Sequence, residues 1–299
     1  MSTTAKPMAG AALEVAARSD TGRARENNED SFHVAAELGL FVLSDGMGGL
    51  DSGEVASRLT VETVYAHCRD AEANPDLPYE GATAEGASQT SNRLASAIQM
   101  ANRVVRAAAG FDVAGSQSAD ATAGPNGQAS NAPKGMGATV VALQFFGERV
   151  SVAHVGDSRA YRLRAGEFIQ LTEDHSLVAQ QVREGRMTHA EAESSPLKNV
   201  LMRALGVDST VEVEVDEEVA LEGDIYLLCS DGLTRELSDS QIAGVLKEMP
   251  TAQEGADRLI DLANQAGGGD NITAVVVRVG EKSGGTLGKI SRWITGSGN

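Results

Sequence analysis

The sequence predicts an α+β fold of four layers. Two antiparallel sheets pack face to face, a helix pair covers each outer side, and a small flap is appended. Three observations carry this. Apolar or alternating runs at 138–146, 149–155, 158–164 and 168–171 are joined by links as short as Gly147-Glu148 and Ala165-Gly166, which suit antiparallel hairpins. Two pairs of helical patterns flank this hairpin series, one before it and one after. Runs at 40–44, 225–230 and 272–279 are short and apolar, as in buried strands. Stacking two sheets with helices outside covers every apolar face.

Taken in order, residues 1–11 form a loose tail and the folded domain runs from 12 to 280. A first strand lies at 13–18. The polar run Arg23-Ala24-Arg25-Glu26-Asn27-Asn28-Glu29-Asp30 leads into a second at 31–35. Charge runs are commonly solvated turns, but this one carries both signs between two strands and is kept as a site candidate. The third strand, 40–44, ends in Asp45-Gly46-Met47-Gly48-Gly49, and Asp51 or Ser52 then caps a helix. Val61, Val64, Tyr65 and Cys68 mark that helix, and Leu94, Ile98, Ala101, Val105 and Ala108 mark the next, with a loop over 70–87 between them.

Residues 111–134 hold almost no large apolar side chain. Such a stretch buries too little to offset its ordering entropy, so a mobile loop is expected. Residues 172–208 are polar and break the strand pattern; a flap is expected there, with helical fragments around 177–186 and 198–205. Val211, Val213 and Val215 alternate with glutamates, as in an exposed strand. After the strand that ends at Asp231, Ser238-x-x-Gln241 and Thr251-x-x-Glu254 read as capping boxes that open two more amphipathic helices. Residues 281–299 form a tail whose Ile290, Trp293 and Ile294 read equally as a docking segment or a frayed end.

Acids number 42 against 25 Lys and Arg, a net charge of -17. This disfavours nucleic-acid partners, which need basic surface. A phosphate substrate would be repelled unless metals and arginines reverse the local field. Cys68 and Cys229 give no disulfide framework, and a reducing compartment fits. Without an apolar signal core or a run of membrane-span length, the chain reads as a cytoplasmic monomer.

The chemistry gathers at strand ends. Asp45-Gly46, Asp231-Gly232 and Gly269-Asp270-Asn271 each put an acid beside glycine at the edge of an apolar run. Any one would pass as a turn, since Asp-Gly is a common turn pair. If all three meet in space, their like charges call for a cation, and oxygen-only ligands suit Mg²⁺ or Mn²⁺ over zinc.

These motifs, in this order, resemble the metal-dependent serine/threonine protein phosphatases of the PPM (type 2C) family in its bacterial form. The matching stretches are Asp20-Thr21-Gly22 through Asn28-Glu29-Asp30, Asp45-Gly46-Met47-Gly48-Gly49, Gly137-Ala138-Thr139, Val155-Gly156-Asp157-Ser158-Arg159, Ser230-Asp231-Gly232-Leu233 and Gly269-Asp270-Asn271. The resemblance spans about residues 12 to 280 and implies the same αββα sandwich. It implies a hydrolase of phosphoserine and phosphothreonine in which a water bridging two metals attacks phosphorus, opposing a bacterial Ser/Thr kinase. By that pattern Asp45 bridges two Mn²⁺ or Mg²⁺ ions, the Gly46 carbonyl binds one of them, and Asp231 and Asp270 complete the other shell. Glu29, Asp30 and Asn271 match groups around metal-bound waters, Asp157 the ligand of a third, looser metal, and Arg25 the grip on the substrate phosphate. Met47 stands where eukaryotic relatives carry a histidine able to act as general acid.

Three other readings compete. Cys229 and Arg235 have the spacing of a cysteine-dependent phosphatase loop, but Asp231 inside that loop would oppose both thiolate and phosphate. A catalytically silent phosphoprotein-binding module of the same fold would not need the full acid set. A two-metal nuclease would need a basic stripe. His154 and His175 lie near matching motifs and read as structural histidines.

Overall fold

The structure is a computed structural model that describes residues 11–48, 52–81, 86–110, 135–282 and 293–294. The expected mobile loop 111–134, Gly49, Asp51, Ile290 and most of both expected tails lie outside these residues.

Twelve strands are described: β1 (Ala11–Asp20), β2 (Asp30–Ala35), β3 (Leu40–Met47), β4 (Gly137–Ala138), β5 (Val140–Phe146), β6 (Arg149–Val155), β7 (Arg159–Arg164), β8 (Glu167–Gln170), β9 (Glu214–Val219), β10 (Ile225–Cys229), β11 (Ile272–Lys282) and β12 (Trp293–Ile294). They form two sheets, ordered β12-β1-β11-β10-β7-β8 and β2-β3-β5-β6-β9, with β4 on β3. The pairings are antiparallel except for β12, which lies parallel to β1 opposite Ala16 and Ala17. Of the tail's two alternatives, docking is therefore what the backbone adopts at 293–294.

Period-two alternation splits each central strand between two cores. On β3, Phe41 and Leu43 face the opposite sheet, where they join Tyr226, Leu228, Val275 and Val277; Leu40 and Val42 face helices. On β10, Tyr226 and Leu228 point between the sheets while Ile225, Leu227 and Cys229 point outward. Helices α1 (Ser52–Ala73) and α2 (Gln89–Ala108) cover one sheet with Val61, Val64, Cys68, Leu94 and Ile98. Two short helices, α3 (Leu177–Arg183) and α4 (His189–Ser194), lie in the flap. Three more, α5 (Asp231–Glu236), α6 (Asp239–Glu248) and α7 (Ala252–Ala266), cover the other sheet with Leu233, Ile242, Leu246, Leu259 and Ile260. The expected four layers are present.

Several local expectations differ. β3 continues through Asp45 and Gly46 to Met47, because Gly46 pairs with Ala138 of β4; the chain turns later. The run at 138–146 divides at Thr139, whose backbone N–H bonds the Asp45 carbonyl at 2.8 Å. Residues 198–205 are not helical. Their backbone is drawn into an antiparallel bridge, with Leu177 N–H on Val200 O at 2.8 Å and Met202 N–H on His175 O at 2.7 Å. The flap's second helix is α4 instead, opened by a capping box between Thr188 and Glu191. β9 begins at Glu214 rather than Val211, because Val211 is buried among α1 and α2 and its carbonyl accepts Gln99 Nε2. The Ser238–Gln241 capping box forms in full, whereas Thr251 caps α7 by accepting the Glu254 N–H.

Leu228 is fully buried between the sheets and Leu221 is 47% exposed. Leu228→Ala should lower unfolding free energy by about 2–5 kcal/mol. Leu221→Ala should change it by less than about 0.5 kcal/mol. Urea denaturation of both variants at fixed metal concentration checks this.

Candidate active site

The site lies where strand ends from both sheets meet. Asp45, near the end of β3, sits directly opposite Asp30, the first residue of β2. Asp231 opens α5 immediately after β10, and Asp270 stands just before β11. Asp157 follows β6 in the turn to β7. The carboxylates of Asp30, Asp157, Asp231 and Asp270 all act electrostatically on Asp45, so the five acids occupy one neighbourhood. Three acids at three glycine-flanked strand ends do converge.

Glycine is needed here for proximity. At Gly46 a Cβ would stand 1.9 Å from the Gly53 carbonyl oxygen and 2.8 Å from that of Glu29. At Gly232 it would stand 2.1 Å from the Asn271 oxygen. The backbone thus brings α1, β2 and β3 together on one side, and α5 against β11 on the other.

Burial raises the proton affinity of Asp30, Asp45, Asp157, Asp231 and Glu29, because the charged form loses water. Asp45 is pushed well above the ordinary range by burial and then by the four other carboxylates. Asp30 is raised to about 7, mainly by burial, although Ser230 and Thr273 hydroxyls each donate to its Oδ2 at 2.7 Å. Asp157 is raised to about 7 by burial and by Asp231. Asp231 is raised to about 6 by burial, opposed by Arg235. Glu29 is raised by burial, with Arg25 opposing. Asp30 Oδ1 and Asp231 Oδ1 are buried without a hydrogen-bond partner. Buried acceptor-only oxygens of this kind are costly unless a cation or protons reach them. The donor set, oxygen throughout, fits the hard dications expected from the sequence.

Arg25 reaches the same place from the loop after β1. Its Nε lies 2.9 Å from Asp270 Oδ1 and its Nη2 3.0 Å from Oδ2. That loop is braced: the N–H groups of Arg23 and Ala24 bond the Gly268 carbonyl at 2.7 and 3.2 Å. Asn271 supplies the rest of the brace. Its Nδ2 donates to Thr21 O at 2.9 Å and Asn27 O at 2.8 Å, and its Oδ1 accepts the Glu29 N–H at 2.8 Å. The amide expected near a metal-bound water is occupied with loop backbone, which makes Asn271 a positioning residue for Arg25 and Glu29.

Sequence reasoning passed over Thr139, Ser158, Ser230 and Thr273 as individual groups. The Thr139 hydroxyl accepts the Asp45 N–H at 2.9 Å and lies 2.7 Å from the Ser158 hydroxyl, so it holds the Asp45 backbone. Their signal was present, since all but Thr273 belong to the quoted motifs. Arg235 was weighed only as the partner of a reactive cysteine. Instead it pairs with Asp231 and Asp270. Cys229 faces the α5–α7 core, and burial pushes its thiol up to about 12, which removes the thiolate that mechanism needs.

The two histidines belong to the flap contact. His175 Nδ1 accepts the Gly156 N–H at 3.1 Å, so Nε2 carries the proton, 2.9 Å from Glu214 Oε1. His154 Nε2 lies 2.8 Å from the Glu173 carbonyl, and the rings stack at 4.6 Å. With Glu214 they place three potential ligand atoms within 4.8 Å of one another. The protonated Nε2 and Arg203, 3.1 Å from the same Glu214 oxygen, oppose a cation there.

The family profile described as Protein phosphatase 2C matches residues 21–265. The chain belongs to the protein phosphatase 2C family. It is 40% identical over 269 residues to the serine/threonine protein phosphatase PstP of Mycobacterium tuberculosis, covering 89% of this chain and 45% of that protein. The chain therefore spans under half the length of PstP. Against the serine/threonine phosphatase stp of Listeria innocua it is 35% identical, covering 87% of this chain and 93% of the relative. The crystal structure of the PstP catalytic domain in complex with two manganese ions superposes with a TM-score of 0.69 at 37% identity, covering 90% of this chain and 99% of that one. The resemblance drawn from the motifs and the fold class drawn from the pattern are both borne out. Every acid of the type 2C set named from the sequence is present at the site, so nothing favours a silent binding module.

Asp30, Asp45, Asp157 and Asp231 each bind a proton more tightly folded than unfolded, where aspartate titrates near 3.9. Their stability contribution is present at low pH and is lost as pH rises through the folded values of about 6 to 7. The lowered His154 and His175 act oppositely, but only below their unfolded value of 6.5. Metal-stripped protein should therefore lose thermal stability from pH 6.5 to 8, Mn²⁺ should abolish that slope, and Asp157→Asn should reduce it. Calorimetric Tm values across the range decide it.

Proposed function

We propose that this chain hydrolyses phosphoserine and phosphothreonine in proteins by a metal-dependent route, as a cytoplasmic monomer that opposes a Ser/Thr kinase. One observation carries the reading: five aspartates converge, two of them, Asp30 and Asp231, with a buried oxygen that has no partner, and an arginine of a braced loop stands at the rim. No helix of the described residues is long and apolar enough to cross a membrane.

Asp45, Asp231, Asp270 and the Gly46 carbonyl would hold two Mn²⁺ or Mg²⁺ ions, with Asp157 serving a third. Bound there, such ions supply Lewis acidity and a water activated near neutral pH. The chain's own residues do the rest. Ser230 and Thr273 fix Asp30 through its Oδ2 and leave Oδ1 without a hydrogen-bond partner. Thr139 fixes Asp45. Asn271 and Gly268 hold the loop that presents Arg25. Arg25 offers two parallel N–H donors, which match two phosphate oxygens as well as the two oxygens of Asp270. Exchange of Asp270 for a phosphate moves that cation from the acids to the substrate.

Protonation of the leaving serine or threonine oxygen is not assigned to histidine. Met47 has no proton to give, and His175 is neutral, its pKa lowered to about 4 mainly by burial, with both nitrogens committed.

Asp231→Asn should lower turnover of p-nitrophenyl phosphate by orders of magnitude, as should EDTA, while circular dichroism stays unchanged. Near-normal turnover in metal-stripped protein would remove the mechanism. Arg25→Ala should raise KM for the same ester about tenfold or more, since a charge-assisted hydrogen bond contributes roughly 1.5–3 kcal/mol. kcat should fall less, because the phosphate oxygens are charged before and during reaction. Arg25→Lys should recover part of the loss; steady-state kinetics at saturating Mn²⁺ would expose an unchanged KM.

A further inference from the structure

Two guanidinium groups rest on the acids, and the second has no part in the chemistry above. Arg235 stands one turn after Asp231 on α5. Its Nη1 lies 2.8 Å from Asp270 Oδ2, and its Nη2 pairs with Asp231 Oδ2. It therefore clasps two acids from different elements. The clasp is built rather than incidental. Glu236, the next residue, accepts the Gly269 N–H at 2.9 Å, which ties α5 to the loop that carries Asp270. The contact of Gly232 with Asn271 closes the same seam from below.

The lone pairs of Asp270 are fully subscribed. Oδ1 accepts Arg25 Nε and the Asn271 N–H, both at 2.9 Å; Oδ2 accepts Arg25 Nη2 at 3.0 Å and Arg235 Nη1 at 2.8 Å. A carboxylate oxygen has two lone pairs, so a cation that binds Asp270 must displace one of these four donors, three of which are guanidinium N–H groups. On Asp231, Oδ2 is taken by Arg235 and Oδ1 has no partner.

We propose that Arg235 is the resident counter-cation of the metal-free site. It partly neutralises Asp231 and Asp270 and competes with the ion they bind, so it sets the Mn²⁺ or Mg²⁺ concentration at which the site fills. This rests on the reading of Asp231 and Asp270 as metal ligands. The guanidinium keeps its charge at every accessible pH, so the competition is permanent. A group that stabilises only the empty state lowers the apparent affinity of whatever must replace it. Two consequences follow from one cause: without Arg235 the empty protein is less stable, and the metal binds more tightly. A residue that merely packed α5 would give the first consequence without the second.

The test is calorimetric titration of chelator-stripped wild type, Arg235→Ala, Arg235→Gln and Asp231→Asn with MnCl₂, together with Tm measured with and without MnCl₂. The Arg235 variants should bind Mn²⁺ about tenfold or more tightly than wild type, the scale of one charge-assisted hydrogen bond no longer displaced. Their metal-free Tm should fall, and their Mn²⁺-saturated Tm should match wild type. Unchanged or weaker Mn²⁺ binding in the Arg235 variants, beside normal binding by wild type and weakened binding by Asp231→Asn, would overturn the role of Arg235 and leave the metal site standing. Equal binding by wild type and Asp231→Asn would instead remove Asp231 as a ligand, and this inference with it. Arg235→Gln keeps most of the stem, so it decides the matter if Arg235→Ala does not fold.

Discussion

The structure is organised around the repulsion of five aspartates, Asp30 buried and the other four half-buried. Asp30, Asp45, Asp157, Asp231 and Asp270 come from both sheets, and the close contacts of Gly46 and Gly232 leave the backbone beside Asp45 and Asp231 no slack. The sandwich core supplies the force that keeps them together. Phe41, Leu43, Tyr226, Leu228, Val275 and Val277 lock the sheets face to face, and Asp45, Asp231 and Asp270 lie at the ends of those same strands. Hydrophobic burial thereby sustains an arrangement that electrostatics alone would open.

Protons, arginines and dications are three ways to relieve that repulsion. The raised affinities of Asp30, Asp45, Asp157 and Asp231 represent the first. Arg25 and Arg235 on Asp270 represent the second. The third belongs to the two-manganese relative, whose backbone this chain shares over 90% of its length. Because these ways exclude one another at the same oxygens, metal loading, pH and arginine placement are thermodynamically linked here. On the proposed function, the same cation that neutralises the acids would become available to a phosphate once metal binds, which would reconcile a net charge of -17 with an anionic substrate.

The flap is tied to this centre by a separate hydrogen-bonded network. His175 receives the N–H of Gly156, the residue before Asp157, and passes its own proton toward Glu214 on β9. The segment 198–205 lies against His175 as a bridge rather than a helix. The flap is therefore coupled to the turn that carries Asp157.

Much of this was legible in the chain itself. Period-two and helical spacing determined the layers, and acid–glycine pairs at the ends of apolar runs determined where charge would gather, because both are local patterns with a physical meaning residue by residue. Ordered motifs determined the family. What the linear pattern left open depended on contacts between distant segments: β3 running on through Asp45 because β4 pairs with it, Val211 leaving its strand for the α2 core, and 198–205 surrendering a helix to a bridge with His175. Arg235 is the sharpest case. Its spacing from Cys229 suggested thiol chemistry, but side chains six apart across a strand–helix junction need not meet, and packing sent Cys229 into the core and Arg235 onto Asp231 and Asp270. Sequence alone determined which charges the protein carries and on which strand ends; only the tertiary structure decided which opposite charge stands against each, because that depends on where separate elements come to rest.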